Sequence, residues 1–215
     1  MRFENREDSG FHLSTLLLEK NIRADYIITI PRGGVPVAVV ISQKLQLPLK
    51  LVFVRKLGHP INTEFAIGAV SEKNLIINND IFINNQHPQI ESLIQKERKR
   101  IVEMKAKFNH EFSFQEIKQK NIILVDDGIA TGTCIELAIQ ELRKNGARTI
   151  TVATPICPFN TYQKLKKMAD EIICCIVAEQ FSGISAYFHN FEQLTDEVVV
   201  SYLKQLNDPS SLRKS

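Results

Sequence analysis

The sequence predicts an α/β domain built as a doubly wound, mainly parallel sheet with helices on both faces and a small added lobe. Three observations carry this. Short β-branched runs alternate with longer amphipathic segments. The runs are apolar almost throughout rather than at every second residue, which marks strands covered on both faces. Proline, glycine or charge follows three of them, as befits the rim beyond the carboxyl ends of strands, where open parallel sheets bind ligands.

Taken in order, the predicted strands are "YIITI" (26 to 30), "LKLVFV" (49 to 54), "NIILV" (121 to 125), "RTITVAT" (148 to 154) and "EIICCIV" (171 to 177). Helical spacing runs over 35 to 46, 132 to 145 and 159 to 168 between them. Two stretches break the rhythm: 55 to 85 reads as a loop and irregular hairpin, and 88 to 109 as a long charged helix. The segment 178 to 206 ends in a helix from about Leu194. The chain, 1 to 215, contains no repeat and no Pro/Gly/Ser-rich linker, so it is expected to form one domain, with a substrate lobe drawn from parts of 55 to 110 and 178 to 215.

Composition narrows the function. With 215 residues, 44% of them hydrophobic, the chain can bury one sizeable core. No apolar run approaches the roughly 20 residues of a membrane span, and "MRFENREDSGFHLS" lacks the h-region of a secretory signal. A cytoplasmic protein with no membrane partner is expected. The formal charge of +3 falls short of the basic balance typical of nucleic-acid binders and suits small anions better. Cys134, Cys157, Cys174 and Cys175 have neither disulfide nor zinc spacing, so reduced, buried thiols are expected, and the histidines at 12, 59, 87, 110 and 189 are scattered.

The most informative stretch is "VDDGIATGTC" (125 to 134). "GIATGT" leads straight into a helix, so its backbone N–H groups and the helix N-terminus suit a phosphate, with Thr131 and Thr133 adding hydroxyls. The lysine of a nucleoside-triphosphate loop is absent, and so is the G-x-G-x-x-G spacing of a dinucleotide site. Adjacent carboxylates would repel a phosphate unless it is carried by a sugar whose hydroxyls Asp126 and Asp127 accept. Phosphate and diol together imply a ribose phosphate. The plain alternative is a capped helix start with Asp127 favouring the macrodipole.

This string resembles the phosphoribosyl-pyrophosphate motif of the type I phosphoribosyltransferases. "FENREDSG" (3 to 10), "PRGGVPVA" (31 to 38), "VRKLGHPINTEFAIGAV" (54 to 70), "ILVDDGIATGT" (123 to 133) and "FHNFEQLTDEVV" (188 to 199) resemble successive blocks of one branch, the predicted phosphoribosyltransferases of unassigned substrate. The resemblance implies that Asp126 and Asp127 take the ribose hydroxyls. Gly128 belongs to the same motif, and Ala130, Thr131, Gly132 and Thr133 would take the 5-phosphate. Arg32 and Gly33 match the family's pyrophosphate loop, whose backbone is typically strained. Arg55 and Lys56 resemble the basic pair that contacts pyrophosphate in the orotate branch.

The implied reaction transfers 5-phosphoribose from 5-phosphoribosyl-1-pyrophosphate to a nitrogen nucleophile, a nucleobase or related heterocycle, and releases pyrophosphate. Cleavage at ribose C1 passes through an oxocarbenium-like state. The catalytic set is therefore Arg32 and Lys56 for the departing polyanion and Asp126 and Asp127 for the sugar. Magnesium is the expected cofactor, held by pyrophosphate and ribose oxygens, with Asp126 and Asp127 reaching it only indirectly. An aspartate that faces the base in the 6-oxopurine branch is Ala130 here, which argues against hypoxanthine or guanine. His59 and Glu64 are candidate bases; exposed loop residues are the alternative.

Phe181, Tyr187 and Phe188 can stack on a flat heterocycle or simply pack a core. Their block departs from its branch, with Phe188 for a tyrosine, Asn190 for an aspartate and Ser185 for a glycine. "QKERKRIVEMKAKF" (95 to 108) reads as a solvated helix with an apolar stripe of Ile101, Val102, Met104 and Phe108. Cys134, near a helix N-terminus, is a position where a lowered pKa is conceivable, though a small helix residue suffices. The competing functions are a phosphoribosyl-pyrophosphate sensor without transferase activity and hydrolysis of another phosphorylated sugar. A homodimer is the commonest assembly to expect.

Overall fold

The computed structural model describes residues 2–59, 66–77, 88–108 and 113–206; Glu64, His87 and His110 lie outside these segments. In chain order the elements are α1 (Arg6–Glu19), β1 (Tyr26–Thr29), α2 (Gly34–Leu45), β2 (Leu49–Leu51), β3 (Arg55–Gly58), β4 (Ala66–Val70) and β5 (Leu75–Ile77). They continue with α3 (Pro88–Phe108), β6 (Asn121–Val125), α4 (Thr133–Lys144), β7 (Thr149–Pro158), α5 (Phe159–Leu165), β8 (Glu171–Ala178) and α6 (Asp196–Leu206). The main sheet is five-stranded and parallel in the order β2-β1-β6-β7-β8; a three-stranded antiparallel sheet, β3-β4-β5, stands apart from it.

That order sets the place of the site. From β1 the chain winds outward to β2, then returns to place β6 on the other side of β1. The strand order therefore reverses between β1 and β6, and the rim beyond their carboxyl ends is where open α/β sheets place a ligand crevice. The two ends are level: Thr29 is in register with Val125, and the Thr29 hydroxyl donates to the Val125 carbonyl at 2.9 Å.

Both faces of the sheet are covered, as the continuous apolar strands require. Leu13 and Leu17 of α1, Val35 to Ile41 of α2 and Val199 and Leu203 of α6 fill one side. Ile135, Leu137, Ala138, Ile139 and Leu142 of α4, with Leu165 of α5, fill the other. A third cluster, Phe3, Ile156, Ala178 and Phe188, closes the rim above β7 and β8.

Three elements differ from the sequence expectation. The helix α1 was not predicted, because its buried face carries Ser9, Gly10 and Ser14 beside Leu13 and Leu17, while Phe11 and Leu18 point outward and mask the period. The irregular hairpin expected within 55 to 85 is present as β3 and β4, antiparallel with a register shift between Leu57 and Gly58; the difference is a third strand, β5, paired to β4, and Ile67, Ala69 and Val70 are buried. On α3, Ile101, Met104 and Phe108 are buried together with Ile90 and Ile94, but Val102 is 54% exposed and does not belong to the stripe. No helix among the described residues is long and apolar enough to cross a membrane.

Candidate active site

Two loops meet at the crevice. After β1, "PRGG" turns the chain into α2, and the peptide bond between Pro31 and Arg32 is cis. Gly33 has ordinary helical angles, φ −58° and ψ −40°. Its lack of a side chain matters for space: a Cβ there would lie 2.2 Å from Asp127 Oδ2 and 2.6 Å from its Cγ. The loop after β1 and the carboxylate after β6 are thus in direct contact. Arg32, half-buried, points to α6, with Nη1 3.6 Å from Asp196 Oδ1.

The carboxylate pair is set into protein on nearly every side. Asp127 is 8% exposed and accepts from Arg6 Nε at 2.7 Å through Oδ2. Asp126 retains some solvent-accessible surface, and its Oδ1 accepts the Asp127 N–H at 3.0 Å. Burial, then the charge of Asp127, push the Asp126 carboxyl well above the usual carboxylate range; that N–H and the Arg6 charge offset only part of this. Burial raises Asp127 as well, opposed by the charge and hydrogen bond of Arg6. Two carboxyls in one desolvated corner disfavour a second negative charge, so hydroxyl donors or a cation brought into it would stabilise the pair.

Beyond them the chain enters α4 through the loop that the sequence suggests for a phosphate. Gly132 adopts the left-handed conformation at φ 80°, which an L side chain resists, and it precedes α4 without a side-chain cap. The N-terminus of this 12-residue helix is therefore not closed by a capping oxygen of its own. Ala130 and Thr131 are exposed, and the hydroxyls of Thr131 and Thr133 lie 3.4 Å apart. From α5, the Thr161 hydroxyl donates to the Ala130 carbonyl at 2.7 Å and fixes the loop from behind. Lys164 Nζ lies 2.6 Å from Oε1 of the buried Glu136 in the first turn of α4.

The basic pair comes from the small sheet. Lys56 is exposed, while Arg55 Nε donates at 2.9 Å to the buried Glu97 of α3, whose other oxygen receives Arg100 at 2.6 Å. Both lie near enough to Cys134 to act on its thiol. Burial and the Asp126 charge nevertheless push that thiol up to about 12, against Arg55 and Lys56. The notion of a lowered Cys134 pKa is thereby corrected: desolvation outweighs the helix terminus. His59 is partly buried, and Glu64 falls outside the described residues.

The aromatic candidates divide. Phe181 and Tyr187 are partly exposed and stack on each other with centroids 6.2 Å apart. Phe188 is only 2% exposed and packs on Phe3 and Phe191, with centroids at 5.4 and 4.7 Å, so it is a core residue rather than a stacking platform. Arg6 was assigned no role from the sequence; a single arginine early in the chain gives no sign that its partner lies 121 positions away. A separate cavity of about 500 Å³ opens between Val52, Phe53, Ser71, Ile101 and Glu141 and shares no residue with the acidic pair or the nest.

The chain is similar to known proteins over most of its length. The family model for the phosphoribosyl transferase domain matches residues 9–190. Proteins from two strains of Mycobacterium tuberculosis, provisionally named phosphoribosyl transferases, are 33% identical over 204 residues, covering 94% of this chain and 46% of theirs. The chain thus spans less than half the length of the curated relatives it matches. The crystal structure of TT1426 from Thermus thermophilus superposes with a TM-score of 0.74 at 30% identity, covering 94% of this chain and 98% of that one.

Proposed function

The chain belongs to the phosphoribosyl transferase domain family, and on that premise we propose that it transfers 5-phosphoribose from 5-phosphoribosyl-1-pyrophosphate to a nitrogen nucleophile, a nucleobase or related heterocycle, releasing pyrophosphate. One observation carries the reading. The acidic pair after β6 touches the Pro-Arg-Gly-Gly loop after β1 at the point where the strand order reverses, and the nest opens directly beyond.

In this reading the ribose hydroxyls donate to Asp126 and Asp127, which settles their charges against each other. The 5-phosphate takes the N–H groups from Ala130 to Thr133 and the hydroxyls of Thr131 and Thr133, while Gly128, without a side chain, leaves room for Ile184 and Ile156 against the turn. Pyrophosphate then lies toward Arg32, the Gly33 backbone, Arg55 and Lys56. As the bond from C1 to the leaving oxygen stretches, positive charge grows on the ribose beside the carboxylates and negative charge grows on pyrophosphate beside the basic groups. Fixed donors of this kind contribute about 3–4 kcal/mol each to such steps. To serve, Arg32 must exchange Asp196 for the donor.

Magnesium fits this arrangement as a passenger of the donor. Among the described residues there is no cluster of three or more acidic, histidine or cysteine side chains that would cage it. Its ligands would be pyrophosphate and ribose oxygens and water, with the Asp126 and Asp127 charges reached through that water. When bound, it supplies positive charge to the leaving group. Phe181 and Tyr187 are the remaining aromatic candidates for the acceptor's ring.

The test is the melting temperature with and without phosphoribosyl pyrophosphate and magnesium, read by an extrinsic dye because the chain has no tryptophan. Ligand at 100 times its Kd adds about 2.7 kcal/mol, which for a domain of this size is a shift of about 5–10 °C. No shift at millimolar donor would overturn the assignment. Pyrophosphate release upon addition of individual bases then separates a transferase from a sensor. Thr131→Val removes one exposed hydroxyl at constant shape; the expected result is an unchanged melt without ligand and a donor affinity about 10-fold to 100-fold lower, the size of one charge-assisted hydrogen bond. Unchanged affinity would take the phosphate away from the nest.

A further inference from the structure

We propose that Arg6 is a positioning residue of the donor site: it holds Asp127 in the orientation that receives a ribose hydroxyl, and it is itself aimed by the C-terminal segment. The inference rests on the donor-site reading above and deepens it.

The geometry leaves Arg6 little freedom. Its guanidinium lies over the Phe191 ring, 3.8 Å from the centroid. Nη1 donates to the Glu192 carbonyl at 2.9 Å, and Nε donates to Asp127 Oδ2 at 2.7 Å. A planar fork used at two edges and stacked on one face has a defined direction, which a lysine cannot copy. The residue is 8% exposed, so these contacts are made largely out of water, where a charged hydrogen bond is strongest.

The support behind Arg6 is equally specific. Asn5 caps α1 by accepting the Asp8 N–H at 2.8 Å, which fixes the first turn that carries Arg6. Phe3 lies beside Phe188 as a short parallel bridge, with the Phe3 N–H donating to the Tyr187 carbonyl and the His189 N–H to the Phe3 carbonyl, both at 2.8 Å. The Tyr202 hydroxyl of α6 donates to the Glu7 carboxylate, the neighbour of Arg6. Both ends of the described chain therefore converge on one guanidinium. Gly33 stands against the same carboxylate, nearest to Oδ2, and a Cβ there would lie 2.2 Å from that oxygen. Asp127 is thus fixed by Arg6 and by the Gly33 backbone together, beside the carboxyl of Asp126.

A structural ion pair and a positioning residue are told apart by coupling. Donor affinity would be measured by thermal-shift titration with phosphoribosyl pyrophosphate and magnesium for wild type, R6Q, R6K, D127N and the R6Q/D127N double variant, with circular dichroism as the check of fold. Expected are a loss of at least 10-fold in R6Q, a smaller loss in R6K, and no further loss when R6Q is added to D127N, because Arg6 acts through that carboxylate. Wild-type affinity in R6Q overturns the proposal, and so do losses that add in the double variant. Should R6Q not fold, F191L keeps the charge while removing the surface that aims it; a several-fold weaker affinity is expected, and an unchanged one is equally fatal. Absence of donor binding by wild type would instead remove the donor site itself, and the role of Arg6 with it.

Discussion

Gly33→Ala is expected to weaken donor binding about 100-fold and to lower the melting temperature by about 3–10 °C. The backbone gives no reason for either effect. Gly33 sits at φ −58° and ψ −40°, where alanine is at ease and would even stabilise by about 0.4–1 kcal/mol through the unfolded chain. The new methyl, however, would fall 2.2 Å from Asp127 Oδ2. At an exposed carboxylate the side chain would swing aside at small cost. Here Oδ2 is bonded to Arg6, so a swing breaks a charged hydrogen bond in a buried corner, and overfilling such a corner costs about 1–3 kcal/mol. At 2–4 °C per kcal/mol for a domain of this size, the lower melt follows. The affinity falls further than the stability because the displaced group is the one assigned to the ribose. Isothermal titration with phosphoribosyl pyrophosphate and a melting curve decide it: wild-type values in both would mean that Asp127 moves freely and that the two loops are not packed as one unit.

Much of this was legible in the sequence, for physical reasons that differ from part to part. The strands β1, β6 and β7 are buried almost throughout, so their sequences are short, continuous, β-branched apolar runs; the apolar run of α2 is set apart from them by its length. The start of α4 at Thr133 was legible because glycine and hydroxylated residues follow the apolar run of β6 directly, and Gly132 there takes the left-handed conformation. Other parts carry no local signal. The contact face of α1 is made of serine and glycine, which remove the apolar period that identifies a helix. The role of Arg6 lies in distances to residues at the other end of the chain. Phe188 and Tyr187 are adjacent aromatics, and only burial separates the core residue from the one that keeps an open face. Cys134 shows the same limit from the electrostatic side: its place near a helix N-terminus suggests an easier ionisation, and the burial that reverses this is visible only in three dimensions.

Asp126→Asn is expected to make the empty protein more stable at neutral pH while costing it about 10-fold to 100-fold in donor affinity, the worth of one hydrogen bond to a charged group. In the folded chain the Asp126 carboxyl is raised well above its ordinary value, by burial first and by Asp127 second. A group raised by folding stabilises in its protonated form below its unfolded pKa, near 3.9, and that stabilisation is lost as pH rises through the higher folded value. Above that value the folded state carries the full cost of a charge kept dry beside another charge. Asparagine does not ionise, keeps an oxygen to accept the Asp127 N–H that now reaches Asp126 Oδ1 at 3.0 Å, and relieves the repulsion on Asp127. The variant should therefore melt close to wild type at pH 4 and progressively above it toward pH 8. Adding phosphoribosyl pyrophosphate with magnesium should reverse the order, since wild type gains the larger shift. A variant that melts below wild type at pH 8 would mean that the ionised carboxylate holds the turn together, and that the strain in this pair is not reserved for a sugar.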